Sequence, residues 1–201
     1  MTRAHHLYYL SHPQVRIDPA VPVPDWGLNE IGAARVAALA DAIAHSALAG
    51  VTSVFTSPER KARETAAPLA QALDCACTVI ENSHENDRSA TGYLPGPTFE
   101  AMADAFFGQP DVSTRGWERA VDAQARITAC MHEALNTAPQ GDVLMVGHGA
   151  VGTLLYCHLA GQKISRRHDQ GPGGGGNVIR FDRKTLIPEG GWAAMESLLH
   201  A

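Results

Sequence analysis

Apolar residues along this chain fall into two kinds of run. Short, mostly continuous blocks, Leu7–Leu10, Val51–Thr56, Thr78–Ile80, Asp142–Val146 and Val178–Phe181, read as strands buried in a sheet. Between them, apolar positions recur every three to four residues. Leu28, Ile31, Leu39 and Ile43 mark one helix, with Asn29 or Asp25 available to cap it. Ser57-Pro58-Glu59 opens a second helix that runs to about Leu73, with Ser at the N-cap and Pro at the first helical position. Thr98–Phe107, Trp117–Asn136 and Ala150–Leu159 read as three more. Ser83–Pro97 is polar and broken by Gly and Pro, a length that suits a functional loop. The run Gly171–Gly176 contains too many glycines to pack a core and reads as a flexible turn.

The order βαβαβ–αα–βα–β predicts an α/β fold: a single-domain three-layer sandwich, with a mostly parallel sheet and helices on both faces. No internal repeat or linker divides residues 1–201, so one domain is expected. In such a sheet, ligands sit beyond the carboxyl ends of the strands. His12, Ser57, Glu85 and His148 all fall at or just after strand ends, so they can converge although they are far apart in sequence. The segment Val143-Leu-Met-Val-Gly-His148-Gly-Ala is the most informative. A histidine where a strand hands over to a helix sits beside free N–H groups and the positive end of the helix dipole, which suits an anionic oxygen.

Composition narrows the functions. The net charge of −5 argues against a nucleic-acid or anionic-membrane partner. No segment approaches the ~20 apolar residues of a membrane span, and the N-terminus lacks the apolar core of a signal peptide. Cys75, Cys77, Cys130 and Cys157 have no framework spacing, so reduced thiols and a cytoplasmic location are expected. Cys75-Ala-Cys77 has no second Cys or His pair at zinc spacing, so no metal site is expected. Gly147-His-Gly149-Ala-Val-Gly152 satisfies a dinucleotide-binding pattern on paper. A dinucleotide fold would place it early, with further βαβ units after it, and here only a glycine-rich tail and one strand follow.

Transfer of a phosphoryl group through histidine needs a neutral imidazole, donors around the phosphoryl oxygens, a proton donor for the leaving group, and orientation. The chain offers candidates for each, and at these residues it resembles the histidine phosphatase superfamily, the phosphoglycerate-mutase-like fold. Leu7-Tyr-Tyr-Leu-Ser-His12-Pro-Gln is similar to the family's first strand and Arg-His-Gly motif. Trp26-Gly-Leu-Asn-Glu-Ile-Gly-Ala-Ala-Arg is similar to its Leu-Thr-x-x-Gly helix start. Phe55-Thr-Ser-Pro-Glu-Arg-Lys-Ala-Arg-Glu-Thr-Ala66 is similar to its Ser-Ser-Pro-x-x-Arg-Ala-x-x-Thr-Ala motif, and Val143–Gly149 to its second histidine motif.

The resemblance implies a metal- and cofactor-free phosphatase that hydrolyses a phosphate monoester. His12 would be the phosphorylated nucleophile, His148 a stabiliser of phosphoryl charge, and Glu85 the acid/base, with Asp87 its rival. Lys61 stands at the family's second phosphate-binding arginine and Ser11 at the first, while Pro13 replaces the glycine. Asp18 stands where many relatives have a phosphate-contacting asparagine. Lys is a point donor and Ser is neutral, so the clamp is depleted relative to a guanidinium fork. Arg16, Arg60, Arg63 and Arg88 lie near the expected mouth, and Arg16 or Arg63 is favoured over Arg88 to supply the missing guanidinium. Ser57 is expected to act as a helix cap rather than a ligand, and Arg166-Arg-His-Asp as a solvated turn. The alternative to a phosphatase is a family member that binds a phosphorylated or anionic ligand without turnover. The expected partner is a small anion, and a homodimer is compatible with the sequence.

Overall fold

The computed structural model describes residues 4–200, His200 by its backbone alone. Six strands form one sheet in the order β3-β2-β4-β1-β5-β6. They are β1 His6–Ser11, β2 Val51–Thr56, β3 Cys77–Val79, β4 Asp142–Gly147, β5 Asn177–Asp182 and β6 Ala193–Ala194. The pairs β3–β2, β2–β4 and β4–β1 are parallel, whereas β5 and β6 join antiparallel at one edge. The helices are α1 Glu30–Ala44, α2 Arg60–Ala72, α3 Gly96–Gly108, α4 Ala120–Thr137 and α5 Gly149–Leu159. The α/β sandwich expected from the apolar pattern is therefore the fold observed.

Side chains of a strand alternate between the two faces, and the core divides accordingly. Leu7, Tyr9, Val143, Met145, Ile179 and Phe181 pack with residues of α3, α4 and α5. Tyr8, Leu10, Leu144, Val146 and Val178 pack with residues of α1 and α2 and with Met195 and Leu198 near the C-terminus. The central strand β4 is buried along its whole length, as its unbroken apolar run requires.

Differences from the expected boundaries are local. The third strand begins one residue early, at Cys77, and β6 was not anticipated because two residues carry no periodicity. Helix α1 is capped by Asn29, whose side chain accepts from Gly32 N. Ser57 does not cap α2, which starts three residues later with Glu59 at its N-cap.

Parallel register places the strand ends side by side. Ser11 pairs with Gly147, and Thr56 pairs with Val146. One step on, His12 N donates to Gly147 O at 3.0 Å and Ser57 N donates to Val146 O at 3.0 Å. The next residues of three strands therefore leave the sheet together.

Candidate active site

The two strand-end histidines meet. The rings of His12 and His148 lie edge to face with centroids 5.3 Å apart. His12 Nδ1 is 2.8 Å from the carbonyl of Pro13, so Nδ1–H is the donor and Nε2 keeps its lone pair. His148 is fully buried, its Nε2 lies 2.7 Å from Ser57 Oγ, and its Nδ1 is buried without a hydrogen-bond partner. Burial lowers the pKa of His12 to about 4 and moves that of His148 in the same direction. Both imidazoles are neutral at pH 7, the form a nucleophile requires.

Glu59 is the group that sequence reasoning missed. It reads as an ordinary first-turn carboxylate, yet it is buried beside the histidines. Its Oε1 accepts from Glu85 N at 2.8 Å and stands 3.6 Å from His148 Nε2. Its other oxygen is ion-paired with the Lys61 ammonium, which also donates to Val23 O at 2.8 Å. Against the cost of burial, the Lys61 ammonium and the Glu85 N–H donor help to hold Glu59 at about 2. A carboxylate two residues before a lysine at the arginine position was the available signal. Ser57 Oγ accepts from Glu59 N at 3.2 Å besides contacting His148, so this serine belongs to the site rather than to a helix cap.

Glu85 lies against the N-terminus of α5. Its oxygens accept from Val151 N at 3.1 Å, Ala150 N at 3.2 Å and Asn86 N at 3.0 Å. Burial raises its pKa and Glu59 adds to the rise, outweighing the nearby Arg88 and the backbone donors.

The clamp differs from expectation in three places. Ser11 is fully buried, and its hydroxyl donates to Gln170 Oε1 at 2.6 Å and accepts from Asn177 N at 3.0 Å. It ties the start of β5 to the end of β1 instead of offering itself to an anion. Arg16 is exposed, anchored by its backbone N–H to Gly27 O, and is not among the residues lining the cleft. Arg88 lines the cleft, as Arg63 does, and its positive charge is felt at Glu85 and, behind that of Lys61, at His12 and His148. Its guanidinium lies 5.1 Å from the centroid of the Phe99 ring. The path of the loop after Glu85 decides this, and no local pattern encodes that path. Asp18 sits in a turn, where Oδ1 accepts from Ala20 N at 3.0 Å.

A cleft of ≈ 1070 Å³ opens beside these groups, reaching Glu59 and Glu85 but not lined by His12, His148, Ser57 or Lys61. Glu59, Glu85, Asn86 and Arg88 line it, with Pro22, Val23 and Pro24 opposite and Arg63 farther along α2. The Ser83–Pro97 segment does form one wall, through His84–Ser89 and Gly92, while Tyr93 packs on Trp26 at 5.7 Å between ring centroids. The glycine run closes the back of the site. Gly176 N donates to His12 O at 2.9 Å, and Arg35 donates to the carbonyls of Gly175 and Gly176, to Gln14 Oε1 and to Glu196. Arg166 pairs with Glu100 and Asp104, away from the histidines, in keeping with a solvated turn. Among the described residues, no three His, Cys, Asp or Glu side chains are grouped to hold a metal, and no helix is long and apolar enough to cross a membrane.

The family profile described as the histidine phosphatase superfamily, branch 1, matches residues 16–186. An uncharacterized Mycobacterium tuberculosis protein, Rv0525, is 31% identical over 153 residues, covering 73% of this chain and 74% of its own. Among solved structures, mycobacterial glucosyl-3-phosphoglycerate phosphatase Rv2419c with inorganic phosphate superposes with a TM-score of 0.76 at 18% identity. That similarity spans 98% of this chain and 100% of the other. Bacillus stearothermophilus YhfR gives a TM-score of 0.73 at 19% identity over 95% of both chains. At these identities the structures share a fold with this chain.

Proposed function

This chain belongs to the histidine phosphatase superfamily, branch 1, and on that footing we propose that it hydrolyses a phosphate ester through a phosphohistidine on His12. The observation that carries this is the pairing of two neutral imidazoles at adjacent strand ends, with His12 Nδ1 fixed by Pro13 O. The Nε2 lone pair of His12 forms the N–P bond as the P–O bond to the leaving alcohol breaks. Glu85, whose pKa is raised, gives the alcohol its proton. Water then attacks phosphorus, the N–P electron pair returns to His12, and the proton of the water goes to Glu85. Arg88 offsets charge on the phosphoryl oxygens, while Lys61 is already engaged by Glu59 and the N–H groups of Ala150 and Val151 by Glu85. Neither a metal nor an organic cofactor enters these steps, and a cytoplasmic location goes with the reading.

A second reading, binding of an anion without turnover, draws on the locked Ser11 hydroxyl and on the Glu59 carboxylate beside the histidines. One experiment separates the two. A slow phosphate ester, quenched in the course of turnover, leaves acid-labile phosphate on the wild-type protein and none on His12→Ala. Binding of esters with neither label nor hydrolysis across a broad panel selects the second reading.

A further inference from the structure

The charges around the two histidines are unusual for a phosphate site. Lys61 is buried and its ammonium is spent on Glu59 and on Val23 O. Both histidines are neutral, and Ser11 brings no charge and a hydroxyl already engaged. Arg60, on the same turn as Lys61, is paired with Glu64 at 2.6 Å. Arg63 lines the cleft but is exposed. Of the groups facing the histidines, Lys61 and Glu59 cancel as an ion pair and Glu85 brings no positive charge, so the positive charge open to a ligand is that of Arg88 on the cleft wall. Glu59 is also placed to oppose a second negative charge, because it lines the cleft and reaches within 3.6 Å of His148 Nε2. Like charges brought together out of water repel strongly.

The geometry points to a substrate whose phosphoryl group carries a single negative charge, with Glu59 as the residue that selects against a dianion. This rests on the phosphatase reading for its chemistry and names the substrate class of the same site. Two sources present that charge: a phosphodiester, and the monoanion of a phosphate monoester, which exists below a second pKa near ~6. Glu59 works by electrostatics alone. The covalent step on His12 is unchanged, and for a diester the second step releases a monoester.

The test is calorimetric titration with dimethyl phosphate, singly charged at any working pH, and methyl phosphate, a dianion at pH 8. Wild-type protein should bind dimethyl phosphate at least tenfold more tightly than methyl phosphate at pH 8. Lowering the pH to 5 should tighten methyl phosphate and leave dimethyl phosphate unchanged, the latter reporting any titration of Glu85, His12 or His148 themselves. Glu59→Gln, which keeps size and shape, should gain at least tenfold for methyl phosphate at pH 8. A wild-type protein that prefers the dianion, binds neither ester, or keeps its preference in folded Glu59→Gln overturns the inference. If the variant does not fold, the wild-type comparison decides alone. Turnover of bis(4-nitrophenyl) phosphate identifies the diester as the source, and turnover of 4-nitrophenyl phosphate that rises below pH 6 identifies the monoester monoanion. Dianion preference with His12 labelling removes the inference and keeps the phosphatase. Monoanion preference without label removes the phosphatase and keeps the inference.

Discussion

The hydroxyl of Ser57 lies 2.7 Å from Nε2 of His148, joining the end of β2 to the end of β4 across residues 91 positions apart. It is the hydrogen bond that fixes the His148 ring, since Nδ1 has no partner. Ser57→Ala should cost about 0.5–1.5 kcal/mol in transition-state stabilisation, roughly a two- to tenfold fall in kcat. A kinetic comparison with Ser57→Thr checks it, the threonine retaining most of the rate. Equal losses in both variants would point to packing rather than the hydroxyl.

Arg88, not Arg16, should govern anion affinity. A charge-assisted contact is worth about 1.5–3 kcal/mol, so Arg88→Met should weaken dimethyl phosphate binding by roughly ten- to a hundredfold. Arg16→Met, at an exposed position, should change it less than about twofold. Titration calorimetry on the two variants measures both, and the opposite ranking would return the clamp to Arg16.

Acid should loosen the fold well before it discharges Glu59. Burial holds His12 at about 4 against an ordinary 6.5, so between these values the unfolded chain takes up a proton that the folded protein refuses. Stability is therefore highest above pH 6.5 and falls as pH drops toward 4, by about 3 kcal/mol from His12 alone. His148, lowered for the same reason, acts in the same direction. Glu59, held at about 2 against 4.5, stabilises at every pH above 4.5 and loses that contribution only as pH falls toward 2. Urea unfolding at pH 7, 5 and 4 should show the decline, and His12→Gln should flatten it.

Gly175 should not tolerate a side chain. Its φ is +88°, and an added Cβ would stand 2.2 Å from the His12 carbonyl oxygen. Gly175→Ala should cost roughly 1–3 kcal/mol in stability and lower activity further by displacing the His12 backbone. Gly108→Ala meets nothing within 4 Å and serves as the control. Thermal melts and rates on both variants test this pair.

The meeting of His12 and His148 was legible because an apolar run ending in a polar residue marks a strand end, and parallel register does the rest. The resemblance pointed to Glu85, and the structure sets it on the cleft wall. The role of Glu59 was not legible. Whether a first-turn carboxylate turns outward to water or inward to Lys61 depends on Val23 O, 38 residues from that lysine, accepting from the same ammonium. The place of Arg88 on the cleft wall was not legible for a similar reason: spacing along the chain says nothing of how a loop folds back. Ser11 was misread because its partners, Gln170 and Asn177, approach from the far end of the sequence.

The Arg35 brace has a consequence for the order in which the molecule matures. One guanidinium gathers Gln14, the carbonyls of Gly175 and Gly176, and Glu196, so the backbone behind His12 is supported by segments made at opposite ends of synthesis. A nascent chain released as far as Gly161 already holds His12, Ser57, Glu59, Glu85, Arg88 and His148. It lacks the strand that pairs β1 on its second side and the loop that receives the His12 carbonyl. Contacts so distant in sequence close late. The ribosome-bound protein thus carries these side chains without the frame that orients them, and that frame is complete only when β5 has docked.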